Sequence, residues 1–173
     1  MGKTTFALNI ALNSAAVNQG AVAIFSVEMP TEQVAMRILS CKSKVEFQKL
    51  RSGHLNDEEW SRINEATQLL KKQNFYIDDT PGIKVSDMFA KARKLAQDKG
   101  LYRIIVDYIQ LIQTSSKSES RQQEVSEISR RLKALARELN VPLIAVSQLS
   151  RRDRKSTRLN SSHNVASRMP SSA

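Results

Sequence analysis

The sequence predicts an α/β fold, with a mostly parallel sheet flanked by helices. Three observations carry that expectation. AVAIFSV (21–27), RIIV (103–106) and PLIAV (142–146) are continuous apolar runs of strand length, rich in β-branched residues, as strands covered on both faces require. Between them lie longer segments whose apolar residues recur at helical spacing. The two patterns alternate along the chain, which favours strand–helix–strand crossovers over separate helical and sheet blocks.

Taken in order, Phe6, Ala7, Ile10, Ala11, Leu12 and Ala15 give a helix over 3–17, with Asn18 and Gly20 as stop signals. Strand 21–27 follows. Pro30 and Thr31 announce a second helix, with Thr31 as N-cap and Val34, Ala35, Ile38 and Leu39 on its inner face. A third helix, about 56–72, has Asn56 as cap, acids in its first turn, and Trp60, Ile63, Ala66, Leu69 and Leu70 along its buried stripe. FYIDD (75–79) is a short strand and Thr80-Pro81-Gly82 a turn. Ser86 caps a helix that Gly100 ends, and RIIVDYIQLI (103–112) opens as a buried strand broken by one acid, Asp107. QTSSKSESRQQ (113–123) reads as a surface loop, 124–140 as a long helix, and 142–150 as a strand ending in polar residues.

A length of 173 residues with 40% hydrophobic and 25% charged residues suits one globular domain. No apolar run approaches a bilayer span and no secretory signal opens the chain, so a cytoplasmic location with no membrane contact is expected. Cys41 is the only cysteine and His54 and His163 are far apart, which excludes a disulfide framework and a Cys/His zinc site; Cys41 is expected to be a small buried hydrophobe. The net charge of +10 suits a phosphate-bearing partner. Part of it lies in 153–173, where Arg154, Lys155, Arg158 and Arg168 face one acid, Asp153. DRKSTRLNSSH there is similar to a one-frame translation of a common sequencing-library adapter, and SRMPSSA to its distal segment, with an index-sized gap, Asn164–Ala166, between them. Residues 152–173 are therefore expected to be an adapter-derived, disordered tail, and 1–151 the folded domain.

In parallel sheets, ligands gather at the carboxyl ends of the strands, where Glu28, Asp107 and Gln148 terminate apolar runs. Gly2, Lys3 and Thr4 are the closing residues of the phosphate-loop pattern G-x-x-x-x-G-K-[ST]. The N–H groups of a helix start, at Gly2, Lys3, Thr4 and Thr5, together with the Lys3 ammonium, favour the phosphates of a nucleotide. The Thr4 hydroxyl is placed to ligate Mg²⁺, and Asp107 to hold the metal's water shell from the other side. Glu28 is the candidate base for an attacking water, and the Gln148 amide can sense a γ-phosphate. Together these residues imply nucleotide hydrolysis.

GKTTFALNIA, IFSVEMPTEQVAMR, IIVDYIQLI, EISRRLKALARELNVP and AVSQLSR, in that order, resemble the RecA-like motor domain of the DnaB-type replicative DNA helicases. The resemblance covers residues 1–151. It implies a RecA-like P-loop NTPase fold, incomplete in this chain, and an ATP-driven homohexamer that encircles single-stranded DNA at the replication fork and unwinds duplex. Primase and a helicase loader are the further partners it implies. By the same resemblance Gly2, Lys3 and Thr4 close Walker A, Glu28 is the catalytic glutamate, Asp107 the Walker B aspartate and Gln148 the glutamine of the sensing motif. Lys117 and Arg121, in the loop after the Walker B strand, are the DNA-contact candidates. The first half of Walker A with its strand, the collar domain, the later DNA loops and the arginine fingers have no counterpart here, and Arg151 and Arg152 stand where the family sequence would continue. These 173 residues alone are therefore expected not to hydrolyse ATP at a helicase-like rate, and strand 142–147 to have an unpaired edge. The alternatives are another RecA-like ATPase, of recombinase, clamp-loader or clock type, and a P-loop small-molecule kinase.

Overall fold

The structure, a computed structural model, describes residues 2–17, 20–113 and 120–148. The expected tail 152–173, Arg151, Lys117, the Asn18 stop signal and the last two residues of the strand expected over 142–150 lie outside the described residues. The elements run α1 (Lys3–Val17), β1 (Ala21–Ser26), α2 (Thr31–Ser43), α3 (Phe47–Ser52), α4 (Asp57–Lys71), β2 (Phe75–Asp78), α5 (Val85–Lys99), β3 (Leu101–Asp107), a 3-10 turn (Ile109–Leu111), α6 (Arg121–Glu138) and β4 (Leu143–Ala145).

All pairings are parallel, in the order β2-β1-β3-β4. Strand periodicity splits the core into two layers. Val22, Ile24 and Ile105 point to one face, where they pack with Ala7, Leu8, Ala11 and Leu12 of α1 and Val34 and Ile38 of α2. Ala23, Phe25, Ile104 and Val106 point to the other, against Met88, Phe89 and Ala92 of α5 and Ile128, Leu132 and Leu135 of α6. The central strands β1 and β3 are covered on both sides, which is why their sequences are apolar without alternation. Among the described residues β4 pairs only with β3, so it has the open edge that the sequence leads one to expect. It is also shorter than expected, because β3 ends at Asp107 and leaves the later residues no strand to pair with.

Several local expectations are corrected. Thr31 is the first residue of α2 and not its N-cap; Pro30 occupies the cap, and the Thr31 N–H donates to Asp79 Oδ2 at 2.7 Å instead. Ser86 does not cap α5, whose N-cap is Lys84: a parallel bridge between Lys84 and Gln113, with Val85 N–H donating to the Gln113 carbonyl at 3.1 Å, passes straight into the helix. Arg121 belongs to a helix and not to a loop, because Ser120 accepts from the Gln123 N–H and starts α6 early. The short helix α3 has no counterpart in the sequence reading. It brings Lys49 to Glu59 at 2.7 Å, so Glu59 turns inward and the buried stripe of α4 becomes Glu59, Ile63, Ala66 and the partly buried Leu70. Trp60 and Leu69 are consequently exposed, at 50% and 43%, and Trp60 is not a core residue. Ala35 is exposed, and Cys41 is half-buried against the α1/α2 layer. Asn56 does cap α4, in a full capping box with Glu59.

Candidate nucleotide site

Strand order creates the crevice. From β1 the chain departs towards β2 on one side, and from β3 towards β4 on the other, so the carboxyl ends of these neighbouring strands form a topological switch point. Two of the expected acids lie there. Ser26 is in register with Asp107, and the Val27 N–H continues the ladder by donating to the Asp107 carbonyl at 2.9 Å. Glu28 is the next residue, exposed, on a short segment held at both ends: Ser26 Oγ donates to the Met29 carbonyl at 2.8 Å, and Asp79 binds the Thr31 N–H.

Asp107 is 5% exposed, and its Oδ2 is buried without a hydrogen-bond partner among the described residues. A buried carboxylate oxygen with nothing to accept is costly unless a cation or a cation's water shell meets it. That is the donor chemistry magnesium takes, since it binds through one or two protein oxygens and keeps several waters. No cluster of three or more His, Cys, Asp or Glu side chains is present among the described residues. Such a cage is not what magnesium in a nucleotide site uses. Thr4, half-buried in the first turn of α1, offers the hydroxyl.

The first i to i−4 bond of α1 runs from the Phe6 N–H to the Gly2 carbonyl at 2.9 Å. The N–H groups of Lys3, Thr4 and Thr5 therefore have no acceptor inside the helix, and the positive end of its dipole is open to solvent. Lys3 does not lie apart from the acids. Its Nζ donates to the Ser147 carbonyl at 3.2 Å. Ser147 follows Val146, whose N–H donates to the carbonyl of Val106 at 2.8 Å, next to Asp107. Gln148 is exposed on the same edge, its backbone engaged by the Gln110 side chain. Gly2, Lys3, Thr4, Thr5, Glu28, Asp107 and Gln148 thus share the carboxyl end of the sheet. Arg121 does not join them: it opens α6, and its guanidinium pairs with Glu124.

Sequence reasoning misses three participants. Ser147 escapes it because the contact uses a backbone carbonyl, which residue type does not reveal. Asp79 and Gln110 have a weaker signal, since each is a polar residue within three positions of a strand end, at FYIDD and DYIQL.

The family model described as "DnaB-like helicase C terminal domain" matches residues 1–163. Among curated proteins, the chain is 55% identical over 152 residues to the replicative DNA helicase DnaC of Bacillus subtilis (strain 168), covering 87% of this chain and 34% of the relative. It is 56% identical to the replicative DNA helicase DnaB of Geobacillus stearothermophilus with the same coverage. The chain thus spans about a third of the length of these relatives. Among solved structures, one described as an ATPase domain superposes with a TM-score of 0.81 at 32% identity, over 89% of this chain and 55% of that one. A DnaB-like replicative helicase, from a structure that also concerns its interactions with primase, gives a TM-score of 0.81 at 33% identity, over 90% of this chain and 38% of that one.

Proposed function

The chain belongs to the DnaB-like helicase C-terminal domain family, and from that premise we propose that it is the ATP-hydrolysing motor part of a replicative DNA helicase, which couples hydrolysis to translocation on single-stranded DNA and to duplex unwinding. One observation carries the reading to this chain's residues: two acids from neighbouring strands and a helix-borne lysine, far apart in sequence, share one sheet edge at the switch point.

In this reading the substrate is ATP. The open N–H groups of Lys3, Thr4 and Thr5 and the Lys3 ammonium hold its phosphates, and the ammonium exchanges the Ser147 carbonyl for a phosphate oxygen. Thr4 and Asp107 would hold magnesium, which would supply positive charge against the phosphates. Glu28, exposed next to the Asp107 strand end, orients the attacking water and takes its proton. Gln148 reports the γ-phosphate by a hydrogen bond from its amide. Single-stranded DNA at the fork, assembly as a homohexamer in the cytoplasm, and contacts with primase and a loader belong to the same proposal. Lys117 and Arg121 are its DNA-contact candidates; the ion pair of Arg121 with Glu124 would have to open for a phosphate to bind there.

The test is ATP turnover by the full-length protein with and without single-stranded DNA. Glu28→Gln is expected to lower kcat roughly a hundredfold or more while ATP still binds, and Lys3→Ala to weaken ATP binding itself. A Glu28→Gln rate equal to wild type removes Glu28 as the base. Absence of DNA-stimulated hydrolysis, with phosphate passed to a small acceptor instead, would favour a kinase.

A further inference from the structure

The β3·β4 ladder runs out of partner early. β3 ends at Asp107 and the chain folds into the 3-10 turn Ile109–Leu111, so Ser147 and Gln148 continue past β4 with no strand alongside among the described residues. A side chain takes the strand's place. Gln110, in the middle of that turn, donates from Nε2 to Ser147 Oγ at 2.8 Å and to the Gln148 carbonyl at 3.0 Å, while its Oε1 accepts the Gln148 N–H at 3.4 Å. A carboxamide carries a donor and an acceptor side by side on one carbon, so one glutamine can meet both backbone groups of Gln148. A carboxylate of the same shape cannot donate, and asparagine is one methylene shorter. From the opposite side, the Ser147 carbonyl accepts from Lys3 Nζ at 3.2 Å. The Ser147–Gln148 segment is therefore held by two side chains, one from the start of α1 and one from three residues beyond Asp107.

We propose that Gln110 is a positioning residue of the phosphate site: it fixes the Ser147–Gln148 segment relative to Asp107, and with it the Gln148 side chain and the resting place of the Lys3 ammonium. The inference rests on the nucleotide-hydrolysis reading above. Bound phosphates take over the Lys3 ammonium, so ATP affinity depends little on Gln110, whereas the alignment of Gln148 during hydrolysis depends on it directly.

The experiment compares wild type, Gln110→Ala and Gln110→Glu in the full-length protein. Both variants are expected to lower kcat on the order of tenfold and to change the KM for ATP less than about threefold. Glutamate fills the same space, so a space-filling role would leave Gln110→Glu as active as wild type, and that result would overturn the proposal. Amide hydrogen exchange without nucleotide gives a second measurement, independent of turnover. In Gln110→Ala the Gln148 N–H should exchange faster, while the Val146 N–H, bonded to the Val106 carbonyl, keeps its rate. Unchanged exchange at Gln148 would overturn the proposal as well. If wild type does not hydrolyse ATP, the functional reading fails by itself, and the exchange comparison still decides whether Gln110 holds the segment.

Discussion

Asp107 Oδ2 is a buried acceptor with no donor among the described residues, an arrangement that costs stability unless a cation or its water shell meets it. Replacing Asp107 by Asn should therefore separate stability from activity. Urea unfolding of Asp107→Asn is expected to have a midpoint no lower than wild type, while magnesium-dependent ATP turnover falls about a hundredfold or more. Asp79 makes the opposite case, a carboxylate with a defined role in the fold. The Thr31 N–H it accepts holds its carboxyl below the usual carboxylate range. A depressed folded-state pKa means that the stabilisation is complete above the unfolded value, about 4, and is lost as pH falls through the lower folded one. Wild type should thus lose stability on acidification below about pH 4 by more than Asp79→Asn does, as thermal melts across that range would record. These residue positions are unevenly legible. Glu28 and Asp107 can be found because charge at the end of an apolar run is conspicuous, and Lys3 because it follows glycine and precedes threonine at a helix start. The Ser147 carbonyl cannot, since every residue has one.

Among the elements, the ones with strong local signals follow the sequence closely. α4 has its cap, its acidic first turn and its helical period in agreement, and the structure places its start one residue after Asn56. Asn56→Ala should cost about 1 kcal/mol in chemical denaturation, because the Glu59 N–H then loses its acceptor in an already part-buried first turn. The inward face of α4 is legible in part: Ile63, Ala66 and Leu70 face the interior as expected, whereas Glu59, paired with Lys49 of α3, lies at the buried edge and Trp60 and Leu69 turn outward. Trp60→Ala is accordingly expected to change stability by less than about 0.5 kcal/mol, a surface-sized effect rather than the loss of a buried aromatic. The starts of α2 and α5 mislead for a related reason. Their first N–H groups are met by Asp79 and Gln113, from elements distant in sequence, where cap propensity sees only neighbours.

At the scale of the molecule, apolar runs without alternation foretell a sheet covered on both faces, and the two-layer core is the consequence. Ile105, fully buried in the central strand β3, faces the α1/α2 layer, and Ile105→Ala should destabilise by about 2–5 kcal/mol in urea titration. The strand order is only partly legible: the open edge of β4 follows from the family resemblance, whereas the placement of β1 beside β3 depends on long-range pairing that no local pattern encodes. That pairing brings Glu28 and Asp107 together.

The outward position of Trp60 has a practical consequence. As the sole tryptophan of the chain, half exposed on the solvent side of α4, it makes intrinsic fluorescence a surface probe. Emission from the native protein should already be red-shifted and open to quenching by acrylamide, and binding of another molecule over α4 would shift it to the blue without any refolding of the interior.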